Sequence, residues 1–291
     1  MYTPLVTVAI PFYNAEKYLS DAIQSVINQS YQRWTLYLID DGGKDSSLRI
    51  CQEAAAKDSR IIVVSDGKNK GLAARLNESV MLAKGDYYAR MDADDIMDCD
   101  RISRQVEYLQ THPEVDVVGS MAYIIDKDNL VISKSHLVNE NPRTVDDILN
   151  GARFIHPTVL GKTSWFHSNP YDQKLRRMQD LGLWLRSVDH SNFVILPDNL
   201  LFYRAVGLPT LKKDWQEFKC SNELYHQILY KEQGRKWQSF KLFCLSLFKL
   251  SVYFVFSIVG KTDYLVERRY KSMNDKEKKI AELRLADSIK L

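Results

Sequence analysis

The hydrophobic positions of the first hundred residues form short apolar runs that alternate with stretches of helical periodicity. The runs at 6–10, 36–39, 61–64 and 87–91 are rich in β-branched or aromatic residues, which is typical of buried strands. Between them, apolar residues recur every three or four positions and predict amphipathic helices. Pro11 is predicted to end the first strand, and Asn14 is predicted to cap the first helix.

This alternation of strand and helix, with strands that are apolar throughout, predicts an α/β fold. We expect a mostly parallel sheet covered by helices on both faces. In such sheets ligands bind beyond the carboxyl ends of the strands. Polar clusters follow three of the predicted strands, at residues 11–14, 40–43 and 92–95.

The cluster Asp92-Ala93-Asp94-Asp95 places three carboxylates within four residues. Like charges this close repel one another unless a cation compensates them, and Mg²⁺ or Mn²⁺ prefers oxygen ligands together with substrate phosphates. The alternative is a solvated acidic turn that caps the next helix near Asp100. Because three separate strand ends carry oxygen-rich residues, the sequence favours a metal site that holds a diphosphate.

The second part of the chain predicts a helix at 101–109, a strand at 115–119, and a hairpin over 121–134 that turns at 127–129. A strand at 154–160 follows. A helix beginning near Asp180 and a last strand at 193–196 complete the pattern. The globular part closes at Tyr203-Arg204, so we predict one domain over residues 1–210 and a helical extension over residues 211–291.

The extension has a different composition. Residues 237–259 are apolar and aromatic but contain Lys241 and Lys249, so no run of about 20 uninterrupted apolar residues exists and a spanning helix is not expected. The segment fits a helix that lies in a membrane interface, with Arg268, Arg269 and Lys271 beside it, or a hairpin that packs on the first domain. From Asn274 we expect a solvated helix or a frayed end.

Composition narrows the class of protein. The 291 residues carry a net charge of +3, which is too small to argue for nucleic-acid binding. The four cysteines lack Cys-x-x-Cys spacing, so they predict neither a zinc site nor a disulfide framework and fit a reducing compartment. The first 14 residues have no basic start and contain two prolines, which does not fit a signal peptide.

Five motifs in register resemble the family-two inverting glycosyltransferases with the GT-A fold, over roughly residues 5–205. Two further strings, His156-Pro157-Thr158-Val159 and Tyr203-Arg204, are similar to the bacterial branch that builds surface polysaccharides such as lipopolysaccharide O-antigen and capsule. The five motifs are Val8-Ala9-Ile10-Pro11-Phe12-Tyr13-Asn14, Asp40-Asp41-Gly42, Asn69-Lys70-Gly71-Leu72, Asp92-Ala93-Asp94-Asp95 and Gln179-Asp180-x-x-x-Trp184-Leu185.

The resemblance implies transfer of a sugar from a nucleotide-diphosphate donor. Pro11 and Tyr13 match the loop that packs on the base, and Asp41 matches the carboxylate that accepts the base N3 hydrogen. A UDP- or dTDP-sugar would satisfy Asp41 equally. The usual Asp-Asp-Gly-Ser is Asp40-Asp41-Gly42-Gly43 here, which changes the turn and keeps the carboxylate.

The resemblance also implies the reacting groups. Asp94 would coordinate Mn²⁺ or Mg²⁺, with Asp92 nearer the ribose and Asp95 behind them. Asp180 matches the catalytic base; from the residues alone, a helix N-cap is the favoured role for it. Proton removal by a carboxylate suits a sugar hydroxyl, which is a poor nucleophile.

Two further residues are candidates with open alternatives. His156 is expected to touch donor or acceptor, or to be structural. Arg204 is expected to reach a phosphate or to form a surface salt bridge. The Gln-x-x-Arg-Trp motif of processive synthases is absent, which argues for single transfers.

The expected acceptor is a lipid-linked oligosaccharide, and the expected location is the inner face of the bacterial cytoplasmic membrane, as a peripheral cytoplasmic enzyme. The competing hypothesis is an inactive nucleotide-sugar binding or scaffold protein, against which the retained Asp92, Asp94 and Asp180 argue. A nucleotidyltransferase would need a Gly-rich basic loop after the first strand, where this chain has Pro11-Phe12-Tyr13-Asn14.

Overall fold

The structure, a computed structural model, describes residues 2–175, 177–205, 211–259 and 270–290. Its first hundred residues alternate strand and helix as the hydrophobic pattern predicts. The elements are β1 (Val6–Phe12), α1 (Leu19–Ile27), β2 (Trp34–Asp40), α2 (Ser47–Lys57), β3 (Ile61–Val64), α3 (Leu72–Leu82), β4 (Tyr87–Arg90) and β5 (Ile96–Met97).

The rest of the chain adds more strands, several short helices and a helical C-terminal region. The elements are α4 (Arg101–Thr111), β6 (Val117–Ile125), β7 (Val131–Lys134), α5 (Val145–Leu149), a 3₁₀ turn (His156–Thr158), β8 (Leu160–Lys162), α6 (Thr163–Ser168), α7 (Gln179–Ser187), a second 3₁₀ turn (Val188–His190), β9 (Phe193–Arg204), α8 (Leu211–Tyr225), a π-helical stretch (His226–Glu232), α9 (Lys236–Ile258) and α10 (Asp275–Ser288).

The strands of the described chain form one sheet in the order β3-β2-β1-β4-β8-β6-β9-β5, with β7 paired to β6. The pairs among β1 to β4 are parallel, as is β6 with β9. The pairs β4/β8, β8/β6, β6/β7 and β5/β9 are antiparallel. The predicted α/β fold is confirmed, but the sheet is mixed rather than mostly parallel, because a short hairpin joins β6 to β7 and β8 enters from a tight turn.

Helices cover both faces of this sheet, as predicted. Val8 and Ile10 of β1 face the core shared with α1, α2 and α4. Ala9, between them, faces the core shared with α3, α6 and α7. Because successive strand residues point to opposite faces, a strand buried on both sides must be apolar at every position.

Pro11 does not end β1, which continues to Phe12. The carbonyl of Ala9 accepts from the backbone N–H of Met91, whereas that of Phe12 accepts from the backbone N–H of Asp41, the residue after β2. Alternate residues of β1 therefore face opposite neighbours, and Pro11 faces the side on which β4 has already ended. Its missing N–H costs the sheet no hydrogen bond there.

Asn14 does not cap α1 either. It adopts the left-handed conformation at φ 49°, and its Oδ1 accepts from the backbone N–H of Lys44 at 2.8 Å. The helix begins five residues later, at Leu19, and its N-cap residue Tyr18 makes no side-chain cap. The carboxamide of Asn14 thus joins the loop after β1 to the loop after β2.

The strand predicted at 154–160 is wrong for most of its length. Residues His156–Thr158 form a 3₁₀ turn and β8 starts only at Leu160. Pro157 has no N–H to give to a ladder, and its carbonyl instead accepts from Arg101 Nη1 at 2.7 Å. The buried Arg101 also donates to the carbonyls of Arg90 and Val159, so it fixes this turn beside the end of β4.

The helices α8 and α9 pack on each other. Lys249 pairs with Glu217 at 3.0 Å, and Ser246 donates to Asn222 at 3.1 Å. The opposite face of α9 is exposed and apolar, with Trp237 77% and Ile258 70% exposed. In the part of the chain that the structure describes, α9 is the one helix long and apolar enough to cross a membrane by length and composition, which alone is weak support for a span.

The last helix, α10, is docked on the sheet, so the expectation of a solvated or frayed tail is wrong. Ala281 and Leu285 are buried against Ile96, Val131 and Phe202. Because most residues of this segment are charged or polar, its composition did not indicate the short apolar stripe by which the helix docks. Of the basic residues expected beside α9, Arg268 and Arg269 lie outside the described residues, while Lys271 is exposed.

Candidate active site

The carboxylates of Asp92, Asp94 and Asp95 gather in the turn between β4 and β5. One oxygen of each lies within 4.8 Å of the others. Asp95 is buried, and its pKa is held well above the usual range by desolvation and by the charges of Asp92 and Asp94. Desolvation and Asp92 raise the pKa of Asp94 in the same way. A compensating positive charge would stabilise this turn.

The arrangement fits a divalent cation. Asp95 Oδ1 accepts from the backbone N–H of Arg204 at 2.8 Å, but its buried Oδ2 has no hydrogen-bond partner among the described residues. The cluster offers only oxygen atoms, which are the ligands that Mg²⁺ and Mn²⁺ prefer. Asp92, Asp94 and Asp95 are therefore the residues that would hold the ion.

Arg204 lies under this turn. It is buried, so the alternative of a surface salt bridge is wrong. Its Nε donates to the carbonyl of Asp94 at 2.7 Å and its Nη1 to the carbonyl of Asp126 at 2.8 Å, while the guanidinium lies 4.0 Å from the ring centre of Tyr18. Arg204 thus holds the backbone of the acidic turn, and a phosphate contact through Nη2, which has no partner in the described chain, stays a prediction.

Arg90, at the end of β4, is a buried cation that the sequence pattern did not single out. Its Nη2 donates to Asp92 Oδ1, while Nε and Nη1 have no partner among the described residues. The pKa of Arg90 stays raised, despite desolvation, because Asp92, Tyr171, Asp95 and Asp180 surround it. In the sequence, the one feature that could have indicated Arg90 is that it is a single arginine in an otherwise apolar predicted strand.

Asp41, at the end of β2, organises the loop that leads into α3. Its carboxylate accepts from the backbone N–H groups of Lys70 and Gly71 and from Arg75 Nε, at 2.7 to 3.1 Å. Gly71 has φ +87°, a conformation that favours glycine, so the Asn69-Lys70-Gly71 string is needed to bring these amides to Asp41. Contact of Asp41 with a base stays a prediction.

Pro11 and Tyr13 lie beside Asp41, because the backbone N–H of Asp41 donates to Phe12 between them. Pro11 is buried inside β1. Tyr13 is 52% exposed, so its ring is available to a ligand. The three residues predicted to hold the base therefore share one end of the sheet.

A cavity of about 630 Å³ opens at the acidic turn. Three predicted site residues line it together: Asp92, His156 and Asp180. Pro11, Tyr13, Asp41, Asp94 and Arg204 lie outside its wall. Leu72 connects it to a second cavity of about 440 Å³ along the loop that Asp41 holds, so the two spaces adjoin.

Asp180 sits at the start of α7 without capping it. The helix starts after Met178, which has φ 59°, and no side chain caps it. Asp180 is the second residue of the helix. It is half-buried and forms part of the cavity wall. Trp184 of the same helix packs against Phe154, with ring centres 4.8 Å apart, and against Trp165 and Phe193. This aromatic cluster fixes the helix and hence the position of Asp180.

His156 is a buried neutral group. Burial, with the nearby charge of Arg90, holds its pKa well below the usual range. Its Nε2 shares a 2.9 Å hydrogen bond with the hydroxyl of Tyr171, which is itself buried. Tyr171 was not among the predicted residues. His156 lines the cavity, while Tyr171 lies behind it. The hydrogen bond to Tyr171 and the lowered pKa favour a structural role for His156 or a hydrogen-bond contact rather than proton transfer.

Part of the cavity wall is built from residues that were not among the predicted site residues. His136 and Arg153 contribute there, together with Tyr203 of β9 and Tyr270. Burial first, and then the charges of Asp95 and Asp92, raise the pKa of Tyr203. His136, Arg153 and Tyr270 belong to separate segments, and no local pattern marks them, whereas Tyr203 belongs to the Tyr203-Arg204 string that carries part of the family resemblance.

Another acidic group, Asp98, Cys99 and Asp100, is close enough to resemble a metal site. The positive charge that balances this group comes from an arginine of the protein itself. Arg284 of α10 donates through Nε to Asp98 Oδ2 at 2.6 Å and through Nη2 to Asp98 Oδ1 and to Asp100. We therefore assign this group to the docking of α10.

Residues 7–174, more than half of the chain, match the family model for glycosyl transferase family 2. The chain is 36% identical to the putative teichuronic acid biosynthesis glycosyltransferase TuaG of Bacillus subtilis over 234 residues, 78% of this chain and 89% of TuaG. It is 35% identical to the putative glycosyltransferase EpsE of the same organism over 187 residues, 63% of this chain and 66% of EpsE.

The fold is similar to that of S. aureus TarS 1–349 solved with UDP-GlcNAc. The TM-score is 0.65 with 17% sequence identity, over 87% of this chain and 75% of the TarS chain. At this identity the likeness speaks for the fold, including its C-terminal helical region. The predicted family, fold and enzyme class are confirmed. The chain belongs to glycosyl transferase family 2 and is a glycosyltransferase with the GT-A fold.

Proposed function

We propose that this enzyme transfers a single sugar, with inversion, from a nucleotide-diphosphate sugar to a hydroxyl of a lipid-linked oligosaccharide in surface polysaccharide synthesis. The observation that carries the proposal is the juxtaposition of Asp92 and Asp180 in the wall of one 630 Å³ cavity, next to the carboxylates of Asp94 and Asp95. The cluster suits a metal and diphosphate. Among the described residues that line the cavity, Asp180 is the one carboxylate outside this cluster, so it is the candidate base.

In this mechanism Asp180 accepts the proton of the acceptor hydroxyl as the hydroxyl oxygen attacks the anomeric carbon. One displacement without an enzyme-bound intermediate inverts that carbon. Asp92, Asp94 and Asp95 would hold Mn²⁺ or Mg²⁺, which when bound supplies Lewis-acid stabilisation of the leaving diphosphate. Arg204 keeps the acidic turn in place through the carbonyl of Asp94.

The proposed donor is a UDP- or dTDP-sugar. Asp41 would accept the N3 hydrogen that both bases carry, and Pro11 and Tyr13 would pack on the base. The exposed ring of Tyr13 and the cavity along residues 69–73 support this placement. TarS, which shares the fold, has been solved with UDP-GlcNAc, and this supports a uridine donor.

The proposed location is the inner face of the cytoplasmic membrane, where a lipid-linked acceptor is confined. The exposed apolar face of α9 supports this proposal, because soluble proteins rarely expose contiguous apolar surface of that extent. Lys236 and Lys241 lie along the same helix and would reach the headgroups, whereas Lys249 pairs with Glu217 of α8. The name of TuaG, which refers to teichuronic acid biosynthesis, supports a surface polysaccharide as the product.

Donor binding tests the proposal directly. Calorimetry with UDP- and dTDP-sugars should detect a donor that binds in the presence of Mn²⁺ and is slowly hydrolysed. Asp94→Ala should reduce the metal-dependent part of this affinity by about tenfold or more, because a ligand of the ion is lost. Asp128→Ala, which removes an exposed carboxylate in the β6–β7 turn, is the matched control and should bind like the wild type.

Three outcomes separate the alternatives. Equal affinity with and without Mn²⁺, unchanged in Asp94→Ala, would refute the metal assignment. Donor binding without any hydrolysis or transfer would favour the inactive scaffold. If no nucleotide sugar binds, the proposed function is wrong.

Membrane association is tested on α9 itself. The double variant Trp237→Ser/Phe248→Ser should bind vesicles containing anionic lipid about tenfold or more weakly, because each exposed ring loses about 1 kcal/mol or more of transfer free energy. Met81→Ser, at an equally exposed apolar position on α3, should bind like the wild type. Co-sedimentation measures both, and equal binding of the double variant and the wild type would exclude α9 as the docking surface.

A further inference from the structure

Arg153 is a cation in the wall of the active-site cavity whose charge the described part of the chain does not balance. The side chain is exposed, and its Nε donates to the carbonyl of Ile148 at 3.1 Å. Among the described residues, no carboxylate pairs with its guanidinium. Arg90, also in the wall, is instead buried and paired with Asp92. The two terminal nitrogens of Arg153 are therefore left for a ligand.

The carboxylates that lie nearest to Arg153 in the sequence are bound to other groups. Ile148, which accepts from Arg153, belongs to α5, and the same helix carries Asp146 and Asp147. Asp146 pairs with Arg235 at 2.6 Å, and Asp147 closes the capping box at the start of α5. The helix that anchors Arg153 therefore supplies no counter-charge for it.

The backbone on both sides of Arg153 is fixed. Phe154 packs on Trp184 of α7, with ring centres 4.8 Å apart. Gly151 has φ +107°, a conformation that favours glycine, so the loop between α5 and Arg153 needs this residue. With the hydrogen bond of Nε, these contacts hold the guanidinium at the cavity wall. A side chain that is already held loses less conformational entropy when it binds a ligand.

His136 provides a second donor in a neighbouring part of the wall. Its segment runs beside the loop of Arg153, because Val138 Cγ2 lies 3.6 Å from the position that a Cβ on Gly151 would occupy. His136 is exposed and lines the cavity, and no described residue hydrogen-bonds with its ring. An imidazole donates an N–H whether it is neutral or charged. The two side chains together suit an oxyanion.

We propose that Arg153, with His136 beside it, binds a carboxylate on one of the two reacting sugars, so that this enzyme uses an acidic sugar as its donor or its acceptor. The inference rests on the proposed function, since it takes the cavity as the place where the two sugars meet. The two terminal nitrogens of a guanidinium match the two oxygens of a carboxylate. One guanidinium also balances the single charge of a carboxylate, whereas a phosphate monoester carries about 1.5 to 2 negative charges at neutral pH.

The other charges of the cavity explain why such a sugar needs an arginine. Asp92 and Asp180 line the same wall, and their carboxylates would repel an anionic sugar. Arg153 offsets this repulsion and adds charged hydrogen bonds. A neutral sugar carries a hydroxymethyl group in place of the carboxylate and meets no such repulsion. Loss of Arg153 should therefore weaken the binding of acidic sugars much more than that of neutral ones.

The test compares matched probes that differ only at the exocyclic carbon, which is a carboxylate in one and a hydroxymethyl group in the other. In the donor arm, calorimetry with Mn²⁺ compares UDP-glucuronate and UDP-galacturonate with UDP-glucose and UDP-galactose. In the acceptor arm, saturation-transfer NMR compares phenyl β-glucuronide and β-galacturonide with phenyl β-glucoside and β-galactoside, on the full chain saturated with UDP and Mn²⁺. One arm should show binding of an acidic probe that is tighter by about tenfold or more.

Arg153→Gln should reduce this preference to about threefold or less, because the charged hydrogen bonds are lost. Arg153→Lys keeps the charge without the two-nitrogen edge and should keep part of the preference. Arg49→Gln, which removes an exposed arginine of α2, is the matched control and should keep all of it. Affinity for UDP should be equal in all variants, which also shows that each is folded.

The arm that shows the preference identifies which of the two sugars carries the carboxylate. The proposal is overturned if the wild type prefers the acidic probe in neither arm, or if Arg153→Gln keeps the full preference. Failure of the wild type to bind UDP or any nucleotide sugar would instead refute the proposed function. The two failures are therefore distinguishable.

Discussion

Asp180→Asn is expected to slow sugar transfer by about 10²-fold or more, the usual scale for loss of a general base. The substitution keeps the shape of the side chain and its place as the second residue of α7, and it removes the basicity. Since α7 is fixed by the packing of Trp184 rather than by Asp180, the cavity should be unchanged. Affinity for the donor should therefore stay within about threefold, and the loss should appear in kcat.

Asp189→Asn provides the control, because it removes an exposed carboxylate just after the other end of the same helix. Its transfer rate should equal that of the wild type. Single-turnover kinetics with saturating donor separate chemistry from binding. Transfer by Asp180→Asn at close to the wild-type rate would exclude Asp180 as the base and return it to a helix-terminal role.

The parallel half of the fold is predictable because its information is local. Each strand from β1 to β4 is a short apolar run, and each helix between them carries its own periodic stripe. The other half depends on contacts between distant residues. The 3₁₀ turn at His156 looks like a strand in sequence, and it forms because Arg101 binds the carbonyls of Pro157 and Val159 from another element.

The residues of the candidate site likewise fall into those that a local motif marks and those that contacts between distant segments bring to the cavity. Asp92, Asp94 and Asp180 follow strand ends or begin a helix within recognisable motifs, so their positions could be predicted. Arg90 could not be predicted in this way, because a single charge in an apolar run does not show whether it is buried, whereas in the structure its burial beside Asp92 makes it part of the site. Tyr270 has no motif, and it comes to the cavity in a segment whose next residue, Lys271, pairs with the distant Lys134.

The tail illustrates the limit of composition most clearly. Residues 275–288 are strongly charged, and two small apolar positions, Ala281 and Leu285, are all that marks a docking face. A deletion from Trp237 onward would therefore remove α10 and Tyr270 along with α9. Loss of donor binding in such a truncation would not separate membrane docking from folding, which is why point substitutions on α9 are the sharper test.

Arg284→Met is expected to destabilise the protein by about 3 kcal/mol and to weaken metal-dependent donor binding. Asp98 is fully buried, and without Arg284 its carboxylate keeps, among the described residues, only the backbone N–H of Asp100 as a hydrogen-bond donor. Breaking a buried pair by removing one partner costs about 3–5 kcal/mol, and the lower end applies because Arg284 itself is about a third exposed. Chemical denaturation monitored by fluorescence measures the change.

Donor binding should suffer because Asp98 directly follows β5, and β5 directly follows the acidic turn. The turn is held on one side by Arg204 and on the other by β5, which pairs with β9 at Ile96 and Met97. Since α10 packs on Ile96 of β5, loosening α10 weakens the support that β5 gives to the turn. Calorimetry with Mn²⁺ and a UDP-sugar, under conditions where the variant is folded, should show the loss.

Arg49→Met is the matched control, since it breaks an exposed pair with Glu53 on α2 and should change stability by less than about 1 kcal/mol. Adding Asp98→Asn to Arg284→Met should recover part of the lost stability, because the unpaired buried charge is gone. If Arg284→Met matches Arg49→Met in stability and donor affinity, α10 is not a support of the active site. If it loses stability but keeps full donor affinity, the helix stabilises the fold without positioning the acidic turn.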